Sequence, residues 1–454
     1  MRDSSRRRRQ SAVEPVGNVY NRRTISCCAD THVTRRLYSL LLYLLVPAVL
    51  VRLLLRGMRN RGYWHRWNER FGFVARLPEG ALWVHAVSVG EVRAAVPLVT
   101  ALEQRFPGQR ILITTMTPTG SVQVHELFGA RVAHCYLPYD LPSAVARFLG
   151  RTRPRLALVM ETELWPNLFY GCGARAVPVV VANVRMSEKS MHRYLRFPGL
   201  TRATLSHVRL FAAQSEADAA RLRTLGADPE RIQVTGSMKF EISPPASLRE
   251  QAQALRRQWG AQRLVWIAAS TREGEDELVL EQFQLLRKRF PDLLLVLVPR
   301  HPERFANVTR LCRRTGLAIA LRSERDVNLS TGIDILVGDT MGELPLLYAA
   351  ADVAFVGGSL VPAGGHNLLE PASAGIAVVF GPHMFNFSEI ARLVIERGAG
   401  RQVRDSGEMG TAVAAYLANA DLRFNAGESG RKMVEENRGA LQRTLALLEM
   451  LITG

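Results

Sequence analysis

Trp83-Val84-His85-Ala86-Val87-Ser88-Val89-Gly90-Glu91 is the stretch whose reading decides the fold. The apolar run Ala81 to Val87 has the length of a buried strand and breaks at Ser88-Val89-Gly90-Glu91. Val92, Ala95, Val96, Val99 and Leu102 then recur at helical spacing. Strand, tight turn and helix make the repeating unit of an open α/β sheet, whose ligands bind outside the carboxyl ends of the strands. Glu91 stands at such an end. Two readings of it stay open. Ser88 and Glu91 fit the Ser-x-x-Glu capping box, and a carboxylate in a first helical turn is favoured by the helix dipole. Alternatively, Glu91 is a general base.

The same alternation continues along the chain. Ile111–Thr115, Leu156–Met160, Val177–Ala182, Leu210–Ala213 and Ile232–Thr235 read as strands, each followed by a polar or helical segment. Ser243-Pro244-Pro245 reads as a linker. A second alternation follows with Leu264–Ala268, Leu293–Val298, Ile333–Val337, Val353–Val356 and Ala377–Phe380, then C-terminal helices over Gly407–Ala418 and Arg423–Leu451. The expected architecture is two doubly wound parallel-sheet domains facing across a cleft. Its divisions are a basic, disordered extension (1–34), an anchor helix (35–56), a first α/β domain (57–242), a linker (243–262), a second α/β domain (263–430) and a terminal helix (431–454).

Charge is uneven. The chain carries a net +18, and residues 1–70, with 15 Lys/Arg against 4 Asp/Glu, hold most of it. The excess belongs to the N-terminal arm, which suits a membrane surface or polyanion rather than a nucleic-acid-binding body. Zinc-finger spacing and interleaved basic–aromatic RNA-binding motifs are lacking. Five cysteines in no paired framework fit a reducing compartment.

Leu37 to Val51 is a 15-residue apolar run, extended to Leu55 across Arg52. Arg35 and Arg36 precede it; Arg56, Arg59, Arg61 and Arg66 follow. Spanning a bilayer takes about 20 apolar residues, so the length is marginal. A signal peptide fits worst, because no small-residue cleavage site follows. A buried core helix is an alternative. The favoured reading is a membrane anchor, either spanning or lying in the interface, with the body on the cytoplasmic side by the positive-inside tendency.

The strand ends gather the polar residues. The first half offers Glu91, Thr115, Glu161, Glu163, Asn183, Arg185, Ser215 and Lys239. The second offers Ser270-Thr271, Pro299-Arg300-His301, Gly338 to Glu343, Gly357-Gly358-Ser359 and Gly364 to Glu370. Glycine-bearing turns ahead of helices suit phosphate or nucleotide binding, with Glu370 placed to hold a ribose diol. Gly171-Cys172-Gly173 precedes a strand instead of following one, so it is no dinucleotide fingerprint. His301, His366 and Asp339 match no metal-ligand spacing, and there is no Asp-x-Asp, Gly-x-Ser-x-Gly elbow or Walker loop.

These residues resemble the bacterial 3-deoxy-D-manno-octulosonic acid (Kdo) transferases, which add Kdo from CMP-Kdo to a lipid A precursor. The resemblance is carried by Leu37–Leu55, Trp67–Gly72, His85–Glu91, Glu161–Asn167, Asn183–Arg185, Gly236–Lys239, Pro299–Arg304, Gly338–Glu343, Gly357–Ser359 and Gly364–Pro371, from about residue 35 to the C-terminus. It implies a GT-B fold with the acceptor domain first and the CMP-sugar domain second, and an inner-membrane enzyme with its active site in the cytoplasm. It implies an inverting, metal-independent glycosyltransferase without cofactor, with CMP-Kdo as co-substrate and a lipid A precursor and membrane phospholipid as partners. It further implies Glu91 as catalytic base, assisted by Glu161 (or Glu163) and Lys239. CMP contacts fall on Pro299, Arg300, Met341, Gly342, Glu343, Asn367, Leu368, Leu369 and Glu370. Arg185 is the cation expected for the Kdo carboxylate. One departure is Ser270-Thr271-Arg272, where the family often has Ser-Thr-His. The rivals are a sugar-nucleotide 2-epimerase of the same architecture and a tethered binding protein without activity.

Overall fold

The computed structural model describes residues 20–242, 247–324 and 332–453, with the backbone alone for 20–32 and Arg59. The expected linker Ser243-Pro244-Pro245 lies outside the described residues. The chain forms two compact units: one runs to Met238 and takes back Leu441 onward, and the other is Lys239–Ala440. The helix Leu248–Trp259, expected within the linker, is part of the second unit.

The N-terminal unit is built on seven strands: β1 (Ala81–His85), β2 (Ile111–Thr115), β3 (Ala133–Tyr136), β4 (Pro154–Met160), β5 (Val179–Val184), β6 (Val208–Ala213) and β7 (Ile232–Val234). They lie in the order β3-β2-β1-β4-β5-β6-β7, with parallel pairing throughout. Val, Leu, Ile and Ala fill the central strands because helices cover both faces of a parallel sheet. β1 is buried at every residue. Trp83 packs edge-on against Phe148 with ring centroids 4.9 Å apart, and its indole donates to Thr114 Oγ1 at 2.8 Å.

The C-terminal unit repeats the plan with β8 (Val265–Thr271), β9 (Leu294–Pro299), β10 (Ile319–Leu321), β11 (Ile335–Val337), β12 (Val353–Val356), β13 (Ala377–Phe380) and β14 (Gly400–Gln402). Their order is β10-β11-β9-β8-β12-β13-β14, again parallel. Trp266, Phe283 and Phe355 centre its core. In each sheet the winding reverses once: between β1 and β4 in the first, and between β8 and β12 in the second. Those two switch points are where ligands of doubly wound sheets bind.

Three differences from the sequence reading have local causes. The first helix begins at Tyr20, so residues 20–34, expected to be disordered, are helical; residues 1–19 lie outside the described residues. Extending an existing helix adds a hydrogen bond per residue without a new nucleus. The helix expected over Arg423–Leu451 is two, Ala420–Glu436 and Ala440–Thr453, broken at Gly439, whose φ of +90° no helix accommodates. The edge strands β3, β10 and β14 went unseen because they are three or four residues long, and β3 and β14 carry polar side chains.

Helix Ala420–Glu436 packs close to the turn before β13. A Cβ on Gly427 would lie 1.9 Å from the Gly375 carbonyl oxygen. Gly427→Ala should therefore lower the unfolding midpoint, with an overpacking cost of about 1–3 kcal/mol. Thermal unfolding of the intact protein measures it, and an unchanged midpoint would show that the helix shifts freely.

Candidate active site

Each unit presents its polar residues at its own switch point. In the N-terminal unit, β1 exits through Ala86-Val87 into the helix Val89–Arg105, which Ser88 begins. The capping box forms only in part. Glu91 Oε2 accepts from the Val87 amide at 2.8 Å, and Oε1 accepts from Ser88 Oγ at 3.2 Å, whereas Ser88 makes no side-chain bond to the helix amides. Glu91 thus closes the turn and keeps lone pairs on both oxygens.

β4 exits on the other side of the switch into Glu161-Thr162-Glu163. Glu161 has φ +57°, a left-handed conformation that costs a non-glycine residue about 1–3 kcal/mol and that clusters at functional sites. The Glu161 amide is held by the Ala182 carbonyl at 2.9 Å, and Thr162 Oγ1 donates to the Arg185 carbonyl. The three carboxylates act on one another. Burial, and then the charges of Glu161 and Glu163, raise Glu91 to about 7 against the hydrogen bonds from Val87 and Ser88. Burial and then Glu161 raise Glu163 to about 7 as well. Sequence reasoning set Glu163 behind Glu161; the structure places both with Glu91.

The floor of this region is neutral. His85 is fully buried, with Nδ1 3.1 Å from the Thr114 carbonyl and 2.9 Å from Thr114 Oγ1, and burial pushes its pKa down to about 4. At the end of β5, Asn183 also has a left-handed φ of +56°. Its Oδ1 accepts the Met238 amide at 3.0 Å, which fixes the 3₁₀ turn Met238–Phe240. Lys239 lies in that turn as the first residue of the C-terminal unit.

In the C-terminal unit a residue that sequence reasoning missed organises the switch point. Glu275 is fully buried. Its Oε2 accepts the amides of Arg272 (2.9 Å) and Gly358 (2.6 Å), and its Oε1 those of Ser359 (3.0 Å) and Leu360 (2.9 Å). One carboxylate therefore ties the exit of β8 to the exit of β12. Gly357 is required there, since a Cβ would lie 2.7 Å from both the Ser270 carbonyl oxygen and Thr271 Cα. Asp276, beside it, accepts from Thr271 Oγ1 at 2.6 Å and pairs with Arg304. In sequence Glu275-Asp276-Glu277 reads only as an acidic helix start.

Above this clamp sits a cationic group. Arg272 donates through Nη1 to His301 Nε2 at 2.8 Å and through Nε to His366 Nε2 at 3.3 Å. Burial, then the charges of Arg300, Arg272 and His301, push His366 down to about 4, so its ring stays neutral and accepts. The position where the family often has histidine thus holds an arginine that two histidines orient. The Arg300 amide is fixed by the Thr271 carbonyl at 3.1 Å.

Apart from Pro299 and Arg300 at the end of β9, the expected CMP contacts form two sets. Met341 and Glu343 line a cavity of about 780 Å³ with Thr340, Arg322, Ser323 and Gln251. Met341 is largely exposed, Gly342 has φ +84°, and Glu343 forms a two-pronged pair with Arg322 at 2.9 and 3.2 Å. In the second set, Asn367 Oδ1 accepts the Leu369 amide at 3.1 Å, and Asn367 Nδ2 donates to Glu370 at 3.2 Å. The side chains of Leu368 and Leu369 are wholly buried in the core, so only their backbone can meet a ligand. Pro299 closes β9, and its side chain is buried. Among the described residues, no three or more His, Cys, Asp or Glu side chains are placed to hold a metal ion.

Glu275→Gln places an amide NH₂ against backbone N–H groups that now share a carboxylate. It should destabilise the C-terminal unit by about 1–3 kcal/mol and raise the KM for the donor. Thermal unfolding with donor titration checks this, and a normal midpoint with normal KM would remove the clamp from the site.

Comparison with known proteins follows the same outline. A family model described as 3-Deoxy-D-manno-octulosonic-acid transferase (kdotransferase) matches residues 65–242. The chain is 41% identical over 419 residues to the 3-deoxy-D-manno-octulosonic acid transferase of Haemophilus influenzae, covering 91% of this chain and 98% of that protein. It is 39% identical over 428 residues to the Bordetella pertussis protein of the same name, covering 91% and 99%. In structure it resembles UDP-GlcNAc 2-epimerase from Neisseria meningitidis, with a TM-score of 0.52, 15% identity and coverage of 83% of this chain and all of that one, which shows the GT-B-type fold alone. With two parallel seven-stranded sheets and this identity along nine-tenths of its length, the chain belongs to the Kdo transferase family of glycosyltransferases.

Proposed function

We propose that this Kdo transferase moves Kdo from CMP-Kdo to a sugar hydroxyl of a lipid A precursor, with Glu91 as general base and inversion at the anomeric carbon. The observation that carries the base assignment is the carboxyl of Glu91 at the β1–β4 switch point, raised to about 7 by burial and two neighbouring carboxylates. A carboxyl raised toward neutral pH is a stronger proton acceptor than an ordinary carboxylate. The acceptor hydroxyl gives its proton to Glu91 as its oxygen bonds to the Kdo anomeric carbon. The bond from that carbon to the CMP phosphate oxygen breaks with its electron pair, leaving CMP. Arg300, Lys239 and the Arg272 held between His301 and His366 are the cations for the departing phosphate and the Kdo carboxylate. These cations make metal-independent transfer the expected mode. The cavity beside Met341 and Glu343 has the volume for a nucleotide.

The N-terminal helix supports membrane association: Val33–Met58 is long and apolar enough to cross a bilayer. An acceptor that stays in the bilayer is met at high effective concentration by an enzyme held at its surface, here on the cytoplasmic face of the inner membrane.

Glu91→Gln should lower kcat by ~10²–10⁴-fold while CMP binding persists. Near-normal turnover would leave Glu91 a capping residue only. Because the base works deprotonated, wild-type kcat/KM should fall as pH drops below about 7. Glu163→Gln should move that acid limb to lower pH by removing a charge that raises Glu91; an unmoved limb would assign it to another group. Incubation of CMP-Kdo and a tetraacylated lipid A precursor with EDTA, read by product mass, tests donor, acceptor and metal independence together. Loss of product with EDTA would overturn the metal-free mechanism, and no product without EDTA would overturn the choice of donor or acceptor.

A further inference from the structure

The first helix turns one face toward the N-terminal unit along its apolar length and leaves the rest exposed. Ser39, Leu42, Val46, Leu50, Leu53 and Gly57 recur every three to four residues and are buried or half-buried. On the opposite side Leu37, Leu41, Leu44, Ala48, Val51 and Leu55 form an exposed stripe at the same spacing, and the exposed Leu40, Leu45 and Leu54 widen this apolar face. The buried face is held by the N-terminal unit at both ends and between. At the start, Arg35 Nη1 and Ser39 Oγ both donate to Asn167 Oδ1, at 3.2 and 3.0 Å, and the Arg35 guanidinium lies 3.6 Å over the Tyr170 ring. Tyr38 donates to Asp140 Oδ2 at 3.1 Å. That carboxylate is itself buried and accepts the amides of Asn167 and Leu168 at 3.0 and 2.7 Å. One turn on, Tyr43 donates to Ser143 Oγ at 2.9 Å. At the far end Trp64 donates to the Leu54 carbonyl at 3.1 Å and covers Gly57 so closely that a Cβ there would meet its indole at 1.7 Å. The turn carrying Trp64 rests on Pro118, which a Cβ at Gly62 would approach to 2.8 Å.

From Arg35 to Gly57 the helix axis rises about 33 Å, roughly the full thickness of a bilayer core. A helix that crossed a membrane over this stretch would be clear of the globular unit in its middle, with lipid all around it. Here the polar latch on Asn167 and Asp140 and the packing at Trp64 would have to enter the hydrocarbon with it, where unpaired polar groups cost several kcal/mol each. The exposed stripe fits a different occupant geometry: the acyl–headgroup boundary of a bilayer lying along the helix. Arg36, Arg52 and Arg56 are exposed beside the stripe, where they can reach lipid phosphates.

We propose that the helix lies in the plane of the membrane surface, docked lengthwise on the N-terminal unit, so that the chain before and after it stays on one side of the bilayer. This rests on the membrane reading above and goes beyond it by excluding a crossing. The test places one epitope tag ahead of Met1 and another after Gly454 in the full chain, and digests sealed membrane vesicles of each orientation with protease. Both tags should be cut in the same vesicle preparation and spared in the other, with the protein in the membrane pellet. Tags cut in opposite preparations would overturn the in-plane geometry alone. Recovery of the protein in the soluble fraction, with both tags cut everywhere, would overturn the membrane reading as well.

Discussion

Carboxylates that reach from one strand-end turn to the backbone amides of another hold this fold's functional edge in shape. Glu275 takes four amides from the exits of β8 and β12. Asp140, after β3, takes two amides at the start of the helix after β4. Asp218 takes the Met186 amide at 2.8 Å and so ties the region after β6 to that after β5. Glu91 does the same within one turn. A parallel sheet leaves its strand ends as separate loops, each with orphan amides that must be satisfied. A buried carboxylate accepting charge-assisted bonds from several of them satisfies the amides and fixes the loops to one another in one step.

Glu91 is a clamp whose own protonation its surroundings change. Its bonds from Val87 and Ser88 favour the ionised form, whereas burial and the Glu161 and Glu163 charges oppose it, and the opposition prevails. A capping glutamate on an ordinary surface helix would have the first set of effects without the second. The neighbours needed to raise it come from β4, across the switch point, where Glu161 is held in a left-handed backbone conformation. The same conformation recurs at Asn183 and Ser270, each the last residue but one of its strand, β5 and β8. In all three places the strain sits where a strand gives way to polar residues, and the surrounding sheet over-determines it.

What the sequence made legible follows from range. Central strands show as continuous Val/Ile/Leu runs because both faces are buried, and Glu91 and Glu161 are visible because they closely follow such runs, whereas Lys239 follows the short edge strand β7. Edge strands β3, β10 and β14 carry no such signal. The role of Glu275 was hidden because three of its four partner amides lie 83 to 85 residues away, so that only the assembled sheet brings them to it. Leu368 and Leu369 show the converse: they stand among the expected ligand contacts, yet their side chains belong to the core, and the polar side chains of the segment are Asn367 and Glu370 beside them.

The first helix shows where hydropathy itself stops being informative. Leu37 to Leu55 is apolar on every side, so its sequence gives no moment that would separate a face for protein from a face for lipid. Only the pattern of burial does so, and it has the helical period over the entire length. The polar residues that break the apolar run are the ones that decide the geometry. Ser39 and Tyr43 on the run, with Arg35 and Tyr38 at its start, point their hydrogen bonds at Asn167, Asp140 and Ser143. Because Asp140 and Asn167 also set the start of the helix that follows Glu161 and Glu163, the exposed apolar helix is joined, through two side chains, to the turn that carries those two carboxylates.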